Sequence, residues 1–293
     1  MSVFARPRLL VLGGTGLLGS KLCLPRDETC FSWVMHGRSS GGDVRADLQD
    51  KAQTKAMLSD LRPDGIVNLV ALTDVDRCES HPTEAFLTNV RTLENVVSCA
   101  REVGIAPKIM HISTDQVYDG LGPHYESQAK PANYYAFSKY MSEMIAIAAQ
   151  GVVLRTNFFG KSLCASRDSF TDWIFRSSVN EAKISVFNDV WFSPISMQKL
   201  ASCIEIVYDL DLCGIYNLGS RNGMTKAEFS YAFCEAVGLP TKNMSSLPIA
   251  KASSLACYRP KDMRMRTEAV EVMLGEQMPS LQDEIIEVAK DYI

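Results

Sequence analysis

Short apolar runs alternate along the chain with longer segments whose apolar residues recur every three or four positions. Leu9-Leu10-Val11-Leu12, Phe31 to His36, Gly65 to Leu69, Lys108 to Ser113 and Gly151 to Arg155 are rich in apolar residues and strand-length, the pattern of strands covered on both faces. A shorter strand is expected at Val44 to Asp47. Between them, Asp50 to Leu61 sets Ala52, Ala56 and Met57 on one side, and Pro82 to Val103 repeats Phe86, Val90, Leu93, Val97 and Ala100 at helical period. Helices are also expected from the glycines after Leu12 to about Leu24, where Pro25 stops the first, and from about Asn133 to Gln150. Strand alternating with helix predicts an α/β fold built on a doubly wound parallel sheet, with ligands at the carboxyl ends of its strands.

Beyond about Gly160 the regularity declines. Ser169 to Val179, Ser196 through Tyr208 and Thr225 through Val237 read as helices, and Ile184 to Phe187 and Gly214 to Leu218 as strands. Asp189 to Ser196 reads as an aromatic loop. Thr225 with Glu228, and Ser280 with Asp283, have the spacing that opens a helix, and Gly238 and Pro240 close the one after Thr225. The expected organisation is a dinucleotide-binding domain over 1–160, with 184–218 packing back onto it, and a smaller C-terminal substrate-binding domain over 161–293.

The first apolar run ends in Gly13, Gly16 and Gly19 and is followed by an amphipathic segment. Such a strand, turn and helix make a Rossmann-like cofactor turn of Gly13, Thr15, Gly16, Leu17, Leu18 and Gly19. Gly13 permits the tight turn, Gly16 lets the backbone approach a pyrophosphate, and Gly19 lets the helix lie close on the strand. Free N–H groups then face the anion. The spacing is G-x-x-G-x-x-G, a variant of the usual triplet. After the second strand, Arg38 and Ser39 stand where an NAD-specific fold places an acidic residue, so a ribose phosphate, and hence NADP, is favoured. Asp43 keeps NAD open.

Composition narrows the partners. The 293 residues carry a formal net charge of −4 and no long basic run, which argues against nucleic acid or an anionic membrane as the main partner. The apolar runs fall well short of the ~20 residues of a membrane helix, and Met1 to Arg8 lacks the form of a secretory signal. Nine scattered cysteines without a C-x-x-C pair fit a reduced, cytoplasmic protein, and no metal-ligand cluster stands in the sequence. His36 and His111 fall inside strands and are expected to be structural. Oligomeric state is left open, a homodimer included.

Tyr135 and Lys139 are four apart on an expected helix, so both leave the same face. A phenol titrates near ~10 and is a poor proton donor or acceptor at neutral pH unless a nearby ammonium favours the phenolate. With Thr114 at the end of the fifth strand, the pair would give or take a proton at a carbonyl or alcohol oxygen. By itself Y-x-x-x-K is a common surface pair; the cofactor turn upstream gives it weight.

Together Gly13 to Gly19, Thr114, Tyr135 and Lys139 resemble an extended short-chain dehydrogenase/reductase. Ser113-Thr114-Asp115-Gln116-Val117-Tyr118-Asp119-Gly120 is similar to a segment of the dTDP-4-dehydrorhamnose reductases. Val70 to Asp76 with Glu79 and Pro82, Leu154-Arg155-Thr156 with Phe159-Gly160, Ser193-Pro194 and Arg259-Pro260 add to the likeness. The resemblance implies that Thr114 bonds a keto oxygen, that Tyr135 protonates it, and that Lys139 holds the nicotinamide ribose and depresses the tyrosine pKa. It places Asp47 and Leu48 at the adenine edge, Val70, Ala71 and Thr73 along the cofactor, and Asn89 behind the site. The implied reaction is hydride transfer from NADPH to a nucleotide-linked 4-keto-6-deoxy sugar. Gln116 stands where related 4,6-dehydratases carry a glutamate, which favours a plain reductase. Ala136, Phe137, Phe158 and Trp191-Phe192 depart from the family pattern and leave the particular sugar open. Two alternatives stay beside the reductase: an epimerase of the same fold, and a non-catalytic NADP-binding regulatory subunit.

Overall fold

The computed structural model describes residues 6–22, 31–38, 41–210, 212–252 and 255–293. Strand β1 (Arg8–Leu12) turns through the glycines into helix α1 (Leu17–Leu22), and β2 (Ser32–Gly37) and β3 (Val44–Arg45) follow. The expected helix stop at Leu24-Pro25 lies outside the described residues. Helix α2 (Lys51–Leu61) opens on Asp50, whose carboxylate accepts from the N–H groups of Ala52 and Gln53, and leads to β4 (Gly65–Asn68). Next come α3 (Val75–Ser80), α4 (Pro82–Phe86), a π-helical turn (Leu87–Arg91), α5 (Thr92–Glu102) and β5 (Lys108–Thr114). The helix expected from Pro82 to Val103 is thus helical almost throughout but widened at 87–91. Helix α6 (Tyr134–Ala148), capped by Asn133, precedes β6 (Val152–Thr156).

The second half adds β7 (Phe158–Phe159), α7 (Phe170–Val179), β8 (Ile184–Phe187), β9 (Trp191–Phe192) and β10 (Ile195–Ser196). Helix α8 (Met197–Asp209), β11 (Gly214–Leu218), β12 (Met224–Thr225) and α9 (Lys226–Val237) follow. Strand β13 (Met244–Leu247), α10 (Glu268–Leu274) and α11 (Leu281–Ala289) complete the elements used below. The two caps anticipated at Thr225 and Ser280 are present, each side chain accepting from the N–H three residues on. The stretch expected as an aromatic loop contains β9, paired with β12, and β10, paired with β7.

Among the described residues, seven strands form one parallel sheet in the order β11-β6-β5-β4-β1-β2-β3. The chain winds outward from β1 to β3 and then crosses back to β4, so the direction reverses between β1 and β4. A crevice opens there at the carboxyl ends. Leu9 and Val11 point to one face, against Leu200 and Ile204 of α8 and Leu18 of α1. Leu10 and Leu12 point to the other, against Leu58 of α2 and Leu93 of α5. Each such side chain contributes ~1.5–3 kcal/mol on burial, which explains why these strands read as apolar throughout.

A third core gathers Phe159, Phe192, Phe229 and Phe233 with Ile285 of α11. Residues 197–218 return to the sheet as α8 and the edge strand β11. Strand β8 instead pairs with β13, because Val186 finds its apolar cover in the aromatic core. Helix α10 sends Val270 back to the sheet core, so the two halves are interleaved. Among the described residues, no helix is long and apolar enough to cross a membrane.

Candidate active site

The glycine turn is held by β2. Gly13 has φ +76°, a left-handed conformation that glycine adopts without strain. The Gly14 N–H donates to the His36 carbonyl at 3.0 Å, and the Gly16 N–H turns back to the Gly13 carbonyl at 3.0 Å. A Cβ on Gly19 would lie 2.5 Å from the Gly14 backbone, so only glycine lets α1 sit this close to the turn. His36 is buried; its Nε2 bonds the Ala46 carbonyl at 2.9 Å and its Nδ1 faces the Gly13 N–H at 3.4 Å. Burial lowers its pKa and keeps the ring neutral, which suits this tie between turn and strand.

A cleft opens above the turn. Gly13, Thr15 and Gly16 line one side, Val70 and Ala71 the other, and Arg38, Asp47 and Leu48 the far end. Arg38 pairs with Asp47 at 3.1 Å and is otherwise exposed. Leu17 and Leu18 pack with the sheet core, Gly19 meets Gly14, and Thr73 is exposed and not among the residues lining the cleft. Ser39 lies outside the described residues. The cleft also takes Gln49 and Thr88, and Cys164, Ser166 and Arg167 from the second half. No periodicity marks 161–168, and only the fold carries that loop over the cofactor crevice. Those residues had no signal in the sequence.

Asn89 sits on the π-helical turn, fully buried and away from the cleft lining. Its Oδ1 accepts from the Leu72 N–H at 2.6 Å, and its Nδ2 faces the Leu72 carbonyl at 3.2 Å and the Ser138 hydroxyl at 2.8 Å. It fixes the segment after β4 to α6. Widening one helical turn supplies the room for a side chain to enter the helix flank.

Thr114 ends β5, and its Oγ1 accepts the Gln116 N–H at 3.1 Å and lies 3.3 Å from Asp115 Oδ1. Tyr135 is buried on the first turn of α6, close enough for the Thr114 hydroxyl to favour its phenolate. Desolvation outweighs that help and, with the Asp115 charge, raises the phenol above its ordinary value. Lys139 is one turn further on. Its Nζ donates to the Ile112 carbonyl at 2.7 Å and lies 3.3 Å from His111 Nε2. The phenol's shift thus arises from burial, Thr114, Asp115 and Cys78, where the ammonium had been expected to depress it. The lysine stem carries the charge to the β5 backbone, where a buried ammonium finds an acceptor.

Burial pushes Lys139 down to about 8, against a smaller upward pull from Glu143. Glu143 itself is engaged by Arg155, with Nε at 3.0 Å and Nη2 at 2.6 Å, and by the Ser113 hydroxyl at 2.5 Å. His111 is buried beside Lys139. Burial and the Lys139 charge hold it neutral, and it contacts Asn68 Nδ2 at 3.0 Å and the Ser142 hydroxyl at 3.0 Å. This pocket of neutral groups fixes where the Lys139 ammonium can point.

The arrangement places two hydroxyls and a buried ammonium around the end of β5, beside a cleft with a glycine turn at its floor. Thr114, Tyr135 and Lys139 are not themselves among the residues that line the cleft; Val70 and Ala71, which follow β4 beside β5, bring its wall to that end of the sheet. A family model described as the RmlD substrate binding domain matches residues 7–293. The chain is 27% identical over 295 residues to a dTDP-4-dehydrorhamnose reductase of Escherichia coli, covering 94% of each. It is 28% identical over 289 residues to methionine adenosyltransferase 2 subunit beta of Xenopus tropicalis, covering 93% of this chain and 84% of that protein. The fold matches that of dTDP-4-dehydrorhamnose reductase from Bacillus anthracis in complex with NADP, with a TM-score of 0.86 at 22% identity, over 98% of this chain and 100% of that one. With its match spanning nearly the whole sequence, the chain belongs to the RmlD substrate binding domain family.

Proposed function

We propose that this protein is an NADP-dependent reductase of a nucleotide-linked 4-keto-6-deoxy sugar, acting in the cytoplasm. What supports the reading is the placement of buried Thr114 at the end of β5 and buried Tyr135 on the first turn of α6, with the glycine-floored cleft reaching Val70 and Ala71 after the neighbouring β4. The family, and reductases of this kind among the relatives, support it. Gly13 at positive φ and the close-packed Gly14 and Gly19 leave the turn without side chains, which fits a pyrophosphate. Arg38 at the far end suits a ribose phosphate.

NADPH, when bound, supplies the hydride. The chain's own part is orientation and the proton. Thr114 donates a hydrogen bond to the keto oxygen, and Tyr135 gives it a proton as the alcohol forms. A phenol held in its neutral form by burial is ready to act as the acid. Lys139 supplies the fixed positive charge on the ribose side, and Asn89 keeps the Leu72 backbone in register.

Replacing Tyr135 with Phe should lower turnover about 100-fold or more while leaving NADPH affinity unchanged. The assay is NADPH oxidation with dTDP-, UDP- and GDP-linked 4-keto sugars. Turnover that survives the substitution rules out the acid role. A second reading, a non-catalytic NADP-binding regulatory subunit, is favoured by the likeness to methionine adenosyltransferase 2 subunit beta. Tight NADPH binding without turnover of any keto-sugar would put that reading first.

A further inference from the structure

The loop 161–168 reaches the cofactor cleft from the second half of the chain, where Cys164, Ser166 and Arg167 join a lining otherwise drawn from residues 13–92. Its base is tied down. The Ser162 N–H donates to Asp172 Oδ2 at 3.0 Å, and Asp172 also accepts from the Ser169 N–H at 2.8 Å and from the Tyr292 hydroxyl at 2.6 Å. Within the loop the Ser162 hydroxyl donates to the Arg167 carbonyl at 2.8 Å and accepts from the Cys164 N–H at 3.0 Å. The Arg167 N–H returns to the Cys164 carbonyl at 3.3 Å. The backbone that carries Arg167 is therefore a folded turn anchored to α7.

The charges along the cleft are few. Its lining holds two guanidinium groups, Arg38 and Arg167, one carboxylate, Asp47, and His36, which burial keeps neutral. Arg38 shares its charge with Asp47 at 3.1 Å. Arg167 is exposed, and among the described residues its guanidinium has neither an ion pair nor a hydrogen bond; the adjacent Asp168 is taken by Arg176 at 2.6 Å. An unpaired arginine on a surface is ordinary. This one is held on a folded turn in the wall of a cleft that also contains the glycine turn, and a guanidinium fork matches phosphate oxygens. NADP brings two anionic groups into such a cleft. Arg38 stands after the second strand, where the ribose phosphate is expected, which leaves the pyrophosphate with the N–H groups of the turn and one further cation, Arg167.

We propose that Arg167 binds the pyrophosphate of the cofactor together with the glycine turn, so that the second half of the chain completes a site built by the first. This rests on the dinucleotide reading of the cleft above and holds whether or not the chain turns over a keto-sugar.

The experiment measures NADPH and NADH affinity by calorimetry on the wild type, Arg167→Ala and Arg167→Lys. Because both cofactors carry the pyrophosphate, Arg167→Ala should weaken both by the same factor, about 10-fold. Arg167→Lys should keep part of the affinity, and the melting temperature without cofactor should stay at the wild-type value, since the side chain holds nothing in the fold. In the wild type, NADPH should slow amide hydrogen exchange across 161–168, a measurement that needs no variant. Unchanged affinity in Arg167→Ala overturns the proposal, as does a loss confined to NADPH, which would assign Arg167 to the ribose phosphate. Exchange across 161–168 that NADPH leaves unaltered overturns it too. A wild type that binds neither nucleotide removes the dinucleotide reading itself, and this inference with it.

Discussion

At the residue scale, the site sets the chemistry of Lys139 against the stability of the fold. Its pKa, about 8, lies below the 10.5 of the free side chain. Below pH ~8 the ammonium is charged in folded and unfolded chains alike, and the cost of burying it is carried in full. Between the two values the folded chain binds fewer protons than the unfolded one, so this cost is relieved as pH rises. Lys139→Met should therefore raise the unfolding midpoint near neutral pH, with the gain shrinking toward pH ~10.5, while turnover falls about 100-fold or more. Urea unfolding at both ends of that range, with a rate assay, checks it; a less stable variant at neutral pH would contradict the account. The Tyr135–Lys139 spacing was legible because a helix repeats every 3.6 residues. That the ammonium would end on the Ile112 carbonyl beside His111 was not, since it depends on how far β5 lies from α6.

At the element scale, the sheet and α6 are locked by one buried ion pair. Arg155 of β6 binds Glu143 of α6 through two nitrogens, and its Nη1 donates to the Tyr118 hydroxyl at 2.9 Å and the Glu126 carbonyl at 2.7 Å. The Tyr118 hydroxyl donates onward to Asn217 of β11 at 2.6 Å. Hydrogen bonds to Glu143 hold the guanidinium in its charged form although it is almost wholly buried. Removing one partner strands the other charge, so Arg155→Met should destabilise the fold by about 3–5 kcal/mol in denaturant titrations. The joint variant Arg155→Met with Glu143→Gln should recover part of that loss. If the single variant matches the wild type, the pair does not hold these elements together. The strands and helices here were readable from apolar period alone. The ion pair was not, because charges twelve residues apart on different elements meet only after α6 docks.

At the scale of the whole molecule, the cofactor cleft joins residues far apart in the chain. Gly13 and Arg38 from the first strands share it with Ser166 and Arg167 from the second half. A ligand that binds only the folded chain stabilises it by about 2.7 kcal/mol at a hundredfold excess over its Kd. NADPH should therefore raise the melting temperature by several degrees, and more than NADH at equal concentration. Arg38→Ala should narrow that difference. Equal shifts from the two cofactors in the wild type would show that Arg38 does not select the phosphate.

Local periodicity determined the parallel sheet, the glycine turn and the spacing of Tyr135 and Lys139, because those features follow from backbone geometry over a few residues. The caps at Thr225 and Ser280 were legible for the same reason, each closed by a partner three positions away. Tertiary structure alone decided the pairing of β8 with β13, the loop 161–168 over the cleft and the meeting of Arg155 with Glu143. Those depend on contacts between residues far apart in sequence, whose energies come from burial and electrostatics after the elements have packed.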